Sequence, residues 1–274
     1  MYITNNPVIA EMADEAGIDR IWIDMEYIGK EQRQGNLDTV KNHHTIEDIK
    51  RIRPFVKNAE LLVRVNPIHE KGDGVPGSEE EIDLAISAGA DVIMLPMFKT
   101  SAEVERFVKA VGKRAKTLLL VETVAAAKNI DEILNVPGVD EIHIGLNDLH
   151  LDMGKKFMFE LLCDDTVKNI CLAAKRKGIK YGFGGIARIG YGMLPAEYVI
   201  AEHYHLGSTA AILSRSFCDA NRVENPIEIK DLFLTGVKNI REKEKEVAGY
   251  SEKEYVDNLN KIKQIVRKIV EAKV

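Results

Sequence analysis

Residues 117–128 read Thr117-Leu118-Leu119-Leu120-Val121-Glu122-Thr123-Val124-Ala125-Ala126-Ala127-Lys128. A short apolar run ends in one carboxylate, and helix-forming alanines follow at once, so the stretch reads as a strand feeding a helix. The same alternation continues in both directions. Candidate strands end near Thr4, Asp24, Arg64, Pro96, Glu122, Gly145, Gly184 and Leu213, and helical patterns start near Pro7, Thr45, Ser78, Ser101, Val124, Lys155 and Pro195. Start and stop signals agree with this division. Thr45 followed by Asp48 resembles a capping box, and Ser78 precedes three glutamates that suit a first turn. Gly17, Gly89, Gly112, Gly178 and Gly207 each close a helical pattern before a strand. Eight strands alternating with helices in 274 residues predict one (β/α)8 barrel, a fold that needs about 250 residues. A single domain over 1–274 is therefore expected, with 218–274 as a C-terminal helical extension. In its last helix Tyr255, Leu259, Ile262, Val266 and Ile269 form an apolar stripe that needs a covering surface, either its own barrel or another subunit.

Composition excludes several classes. A net charge of −5 with 30% charged residues gives no broad basic field for nucleic acid. Three cysteines without Cys-x-x-Cys spacing indicate neither a disulfide framework nor a zinc knuckle and fit a reducing cytoplasm. The N-terminal Met-Tyr-Ile-Thr-Asn-Asn-Pro lacks the pattern of a secretory leader, and no run approaches the roughly 18 apolar residues of a membrane span.

In such a barrel, chemistry belongs at the carboxyl ends of the strands. Polar groups collect there: Asp24, Glu26 and Tyr27 after the second strand, Arg64 and Asn66 at the third, Lys99 after the fourth, Glu122 at the fifth, Asn147 and Asp148 after the sixth, Ser214 and Arg215 after the eighth. Glu122 follows five uncharged residues and must be paired, protonated or metal-bound to escape a large desolvation cost. Asp148 lies one strand later at the equivalent level. Two carboxylates with waters and substrate oxygens suit Mg2+ or Mn2+; the competing reading pairs them with Arg64 or Lys99. Arg64 is a candidate clamp for a developing enolate oxygen, with a structural ion pair as its competitor. The stretch Gly182-Phe183-Gly184-Gly185-Ile186-Ala187 is read as the loop after strand seven. Its backbone amides, with Arg188 or Arg215 nearby, are candidates to hold an anionic part of the substrate. His143 within Glu-Ile-His-Ile-Gly is expected to be a satisfied core histidine.

Ordered segments carry a family likeness: Ala16-Gly17-Ile18-Asp19 through Asp24-Met25-Glu26, Leu62-Val63-Arg64-Val65-Asn66-Pro67, Ala88-Gly89-Ala90-Asp91 through Leu95-Pro96-Met97, Val121-Glu122-Thr123 through Asn129, and Gly145-Leu146-Asn147-Asp148-Leu149 through Gly154. Through them the first 155 residues or so resemble the HpcH/HpaI aldolase and citrate lyase β-subunit family, of the phosphoenolpyruvate/pyruvate-type barrels. The resemblance implies metal ligands at Glu122 and Asp148 and an enolate-stabilising Arg64. It also implies contacts to a substrate carboxylate from backbone amides around Leu146, Asn147 and Asp148, and a homo-oligomer that exchanges C-terminal helices. Where pyruvate aldolases of the family place a histidine base, this chain has Tyr27; a supporting acid becomes Ser87 and a glutamine becomes Leu120. Tyr27, with an ordinary pKa of ~10, is a poor base at neutral pH. His43 or His44, from the long loop after strand two, is the substitute in view. The polar stretch Lys71–Gly77 is expected to reshape the pocket.

The expected function is a divalent-metal-dependent carbon–carbon lyase working through the enolate of a 2-oxo acid such as pyruvate. Arg64, Asp24, Tyr27 and His44 are the catalytic candidates, and Leu146, Asn147, Asp148 and Arg215 join Arg64 in binding a small carboxylate. Citrate-lyase-like cleavage of an acyl-CoA or acyl-carrier substrate, or a non-catalytic metabolite-binding barrel, are the alternatives.

Overall fold

The computed structural model describes residues 1–30, 44–72, 74–218 and 225–273. His43 and Asp73 lie outside the described residues. Strands β1 (Tyr2–Ile3), β2 (Arg20–Asp24), β3 (Glu60–Arg64), β4 (Val92–Leu95), β5 (Lys116–Val121), β6 (Glu141–Ile144), β7 (Lys180–Ile186) and β8 (Ala210–Leu213) form one parallel sheet in sequence order. Leu213 N–H donates to the Met1 carbonyl at 2.8 Å, bringing β8 back to the first strand. The chain is a (β/α)8 barrel, with strand ends within two residues of the expected ones.

Side chains alternate across a strand, so each strand feeds two cores. Trp22, Leu62, Val92, Met94, Leu118 and Leu120 pack together inside the barrel, whereas Ile21, Ile23, Leu61, Val63, Ile93, Leu119, Val121, Ile142 and Ile144 meet the surrounding helices. The inward register continues to both rims as charge. At the amino ends Arg20 bridges Glu60 at 2.8 Å and Glu141 at 2.6 Å. At the carboxyl ends the same register delivers Asp24, Arg64 and, one residue past β5, Glu122. An apolar plug therefore separates a structural charge layer from a second one at the mouth.

The outer helices begin with α1 (Pro7–Glu15), α2 (Ile46–Ile52), α3 (Ser78–Ser87), α4 (Ser101–Val111), α5 (Val124–Lys128) and α6 (Ile130–Ile133). At the head of α2 the Asp48 carboxylate accepts from Thr45 N–H at 2.8 Å, as the capping pattern anticipates. Gly17, Gly89, Gly112, Gly178 and Gly207 all have positive φ, from 57° to 111°, the left-handed backbone that ends helices at low cost for glycine alone.

Two expectations are corrected. No helix starts near Lys155. The β6–β7 crossover is split into α7 (Leu146–Asp152), α8 (Glu160–Cys163) and α9 (Thr166–Lys177). Buried Phe157 and Phe159, edge to face at 5.4 Å, anchor the irregular stretch between the first two. The glycine run 182–185 is not a loop but part of β7, with an irregular register against β8 between Gly182 and Gly185. A Cβ at Gly182 would lie 2.3 Å from the Ala210 carbonyl and 2.8 Å from His143 Nδ1. Side chains are absent there because the neighbouring strand and the His143 ring occupy the space.

After α10 (Ala196–Leu206), helices α11 (Pro226–Val247) and α12 (Glu252–Glu271) complete the described chain. Ile262 and Val266 of the α12 stripe are buried against α10 and α8 of the same chain, and Asn258 Nδ2 donates to the Tyr198 carbonyl at 3.0 Å. Among the described residues no helix is long and apolar enough to cross a membrane.

Candidate active site

A cavity of about 410 Å³ opens at the carboxyl ends of the strands, lined by Asp24, Lys30, His44, Arg64, Glu122, residues 145–148, Ser214 and Arg215 among others. Of the residues singled out from sequence, Asp24, His44, Arg64, Glu122, Leu146, Asn147, Asp148 and Arg215 are brought together here. Tyr27 is not: it is absent from the lining and 45% exposed. Partial desolvation and the nearby Glu81 raise its pKa further, and both observations weigh against Tyr27 as a base.

Asp24 organises one wall. Its carboxylate accepts from Arg64 Nε at 2.7 Å and Nη2 at 2.8 Å, a bidentate pair, and from Lys30 Nζ at 2.8 Å. Glu26 Oε2 stands 3.1 Å from Arg64 Nη1. Burial opposes the Asp24 charge, but Arg64 and Lys30 outweigh it and hold the carboxyl well below the usual range. The guanidinium, 5.1 Å above the Trp22 ring, is thereby fixed in the plane that the Asp24 fork dictates. The ion pair foreseen for Arg64 exists, and it orients the group toward the cavity.

The opposite wall is acidic. Glu122 is 2% exposed, and burial, reinforced by Glu26 and Asp148, drives its pKa well above the ordinary value against the pull of Arg64. Met97 N–H donates to Glu122 Oε1 at 3.1 Å, from a residue with φ of 55°. That left-handed geometry costs a non-glycine residue about 1–2 kcal/mol and places an amide where the carboxylate needs one. Gly145 leaves room for the same group, since a Cβ there would lie 3.0 Å from Glu122 Oε2. Lys99 is exposed and its N–H serves Glu103; among the described residues no ion pair joins Glu122 to Lys99 or Arg64. Asp148 falls in the first turn of α7, whose N-cap is Gly145.

Sequence reading missed one residue of the lining, Lys30, and one that supports it from outside, Glu81. Lys30 is 5% exposed, yet nothing in the chain distinguishes it from a surface lysine. Glu81, read only as a first-turn acid, accepts from Asn66 Nδ2 at 2.8 Å. Asn66 Oδ1 in turn accepts from the N–H groups of Tyr27 and Ile28, both at 3.0 Å. This chain of bonds pins the turn after β2. His143 is in the core as expected, buried, with Nε2 3.0 Å from the Gly184 carbonyl and its pKa pushed by burial to about 3, but its Nδ1 has no hydrogen-bond partner among the described residues, so the ring is satisfied on one side only.

Comparison with known proteins bears on the family and the fold. A hydroxypyruvate/pyruvate aldolase of Rhizorhabdus wittichii is 32% identical over 138 aligned positions, covering 38% of this chain and 55% of that protein. The match thus spans about half the length of that curated relative. Among solved structures, an HpcH/HpaI aldolase from Desulfitobacterium hafniense superposes with TM-score 0.59 at 18% identity, covering 88% of this chain and 92% of the other. A citrate synthase does so with TM-score 0.58 at 18% identity, covering 78% and 84%. At those identities the structural likeness establishes the barrel alone. The family described as HpcH/HpaI aldolase/citrate lyase matches residues 1–186, more than half the sequence, and the chain belongs to that family.

Proposed function

We propose that the chain is a divalent-metal-dependent carbon–carbon lyase that makes or breaks a bond through the enolate of a short 2-oxo acid such as pyruvate. The observation that carries this reading is the charge pattern of the mouth, where buried Glu122 is crowded by Glu26 and Asp148 and faces an arginine immobilised by Asp24. Like-charged carboxylates that are buried together need either protons or a cation.

The donor set fits a hard cation. Glu122 and Asp148 supply oxygen only, and since among the described residues no group of three or more His, Cys, Asp or Glu side chains is placed to hold a metal ion, water and substrate would have to complete the shell. Two carboxylates with remaining positions for water and substrate are what Mg2+ or Mn2+ takes. Bound there, the cation supplies Lewis acidity toward the oxygens of the 2-oxo acid. The chain does the rest. Arg64 offers its fixed guanidinium to the oxygen on which enolate charge develops. The first-turn N–H groups of α7, around Leu146, Asn147 and Asp148, stand at the N-terminal end of that helix and suit the substrate carboxylate, with Arg215 in the same lining. Apolar Ile3, Trp22, Leu120 and Ile212 among the lining residues limit water around the enolate.

Proton exchange tests the proposal. In heavy water the protein is expected to exchange the methyl protons of pyruvate only when Mg2+ or Mn2+ is present. A double substitution, Glu122→Ala with Asp148→Ala, is expected to abolish both the exchange and the calorimetric heat of Mn2+ binding. Metal binding that survives the double variant sinks the ligand assignment. An intact, metal-loaded protein that exchanges no short 2-oxo acid sinks the pyruvate reading in favour of an acyl-thioester substrate or a non-catalytic barrel.

A further inference from the structure

With Tyr27 outside the cavity, the ring that reaches it from the β2 side is His44. Two backbone contacts hold it. Asp24 N–H donates to His44 Nδ1 at 3.0 Å, and the His44 N–H donates to the Asp24 carbonyl at 3.3 Å. A peptide N–H only donates, so Nδ1 must be the unprotonated nitrogen, and the neutral ring carries its proton on Nε2. A base needs a lone pair that faces its substrate. The one ring lone pair of this tautomer is already used by the backbone, which leaves Nε2 as a donor.

The charges around the ring assign it a side of the cavity. Its electrostatic neighbours are Asp24, Asp48, Lys30 and Arg51, whereas those of Glu122 are Glu26, Arg64 and Asp148. His44 therefore stands on the Asp24 side of the cavity, since Asp24 meets the His44 ring through its N–H and Lys30 Nζ through its carboxylate.

We infer that His44 is a catalytic hydrogen-bond donor, offering Nε2–H to the carbonyl oxygen of the electrophile, and is not the base of the reaction. The inference rests on the enolate reading above. In the addition direction the enolate carbon bonds to the carbonyl carbon, the C=O π pair moves onto oxygen, and His44 stabilises that alkoxide while keeping its own proton. Solvent water then protonates the alkoxide, and the hydroxide left behind is neutralised by the proton taken from the pyruvate methyl group when the enolate formed. In cleavage the same bond to Nε2–H supports the alkoxide as the carbon–carbon bond breaks. The electrophile is accordingly a short aldehyde or ketone whose oxygen points to the β2 wall.

Two measurements test this. Long-range 1H–15N NMR of the full chain, with His44 assigned by comparison with His44→Phe, is expected to show the Nε2–H tautomer at pH 7.5. An Nδ1–H or doubly protonated ring overturns the inference whatever the activity. In kinetics with pyruvate and acetaldehyde, His44→Phe is expected to slow addition by about 10²–10³-fold, the usual effect of losing one oxyanion donor. His44→Gln, which keeps an N–H, should recover about tenfold of that loss. Exchange of pyruvate methyl protons, which involves no electrophile, should fall by less than about tenfold in either variant. Equal losses of exchange and addition would make His44 the base and overturn the inference alone. A parent protein that exchanges no pyruvate protons would overturn it together with the enolate reading.

Discussion

Glu122 shows how one side chain changes meaning between chain and fold. From sequence it is a carboxylate at the end of an apolar strand; in the barrel it is buried beside two other acids with one N–H as its hydrogen-bond donor. Burial first, then Glu26 and Asp148, raise its pKa above the unfolded value near 4.5. The sign of the pH effect follows from linkage: a carboxyl with a raised folded pKa contributes stability that is complete below the unfolded value and lost as pH rises through the folded one. Without metal, Glu122→Gln is thus expected to be more stable than the parent at pH 8, with the difference shrinking toward pH 4.5. Urea midpoints in the presence of a chelator at the two pH values measure this. A parent that is the more stable at pH 8 would contradict the environment assigned to Glu122. Asp24 is the opposite case, since Arg64 and Lys30 keep it charged. Its partner Lys30 could not be found from sequence, because a lysine between Gly29 and a polar segment carries no sign of burial.

At the scale of elements, the inward register of each strand decides what stands at the mouth. Asp24 pairs with Arg64 in the β2–β3 register, so the charged fork is a consequence of two neighbouring strands ending at the same level. Strand β7 contributes space instead of side chains. Gly182 is its tightest point, where an added Cβ would meet the Ala210 carbonyl at 2.3 Å. That neighbour is backbone and cannot swing away. Gly182→Ala is expected to destabilise the fold by about 1–3 kcal/mol or more through overpacking, while Gly178→Ala tests only the left-handed helix end, with nothing within 4 Å, and should cost about 1 kcal/mol. Chemical denaturation of the two variants compares them directly; equal losses would mean that β7 and β8 can separate without penalty. The glycine run was misread as a loop because composition reports flexibility, whereas these glycines are fixed by what surrounds them.

For the whole molecule, the two histidines buried around β7 couple the core to acid. His143 fills the barrel interior beside Gly182, and His203 of α10 stacks on Phe183 with ring centroids 3.7 Å apart. Burial depresses each to about 3 from 6.5, with His143 adding to the effect at His203. Both rings are neutral in the fold and charge on unfolding, so their stabilising contribution is complete above pH 6.5 and is lost as pH falls toward 3. Between those limits each adds a slope of about 1.4 kcal/mol per pH unit. His203→Phe, which preserves the stack, is expected to flatten the fall of stability between pH 6 and 4 by about one such slope, read from urea midpoints. A variant that loses stability in parallel with the parent would show that His203 titrates normally.

The sequence by itself determined the barrel, its strand ends, the glycine stops and the ring of charged residues Asp24, Arg64, Glu122 and Asp148 at the mouth. All of these follow from short-range periodicity and from the rule that strand ends carry function. Only the tertiary structure decided which groups meet. It buried Lys30, turned Tyr27 outward, linked Glu81 through Asn66 to the turn after β2, and fixed the His44 ring against Asp24. Except for Lys30, which meets Asp24 six positions away, those outcomes depend on contacts between residues 15 to 40 positions apart in the chain, and local pattern carries no information about such contacts.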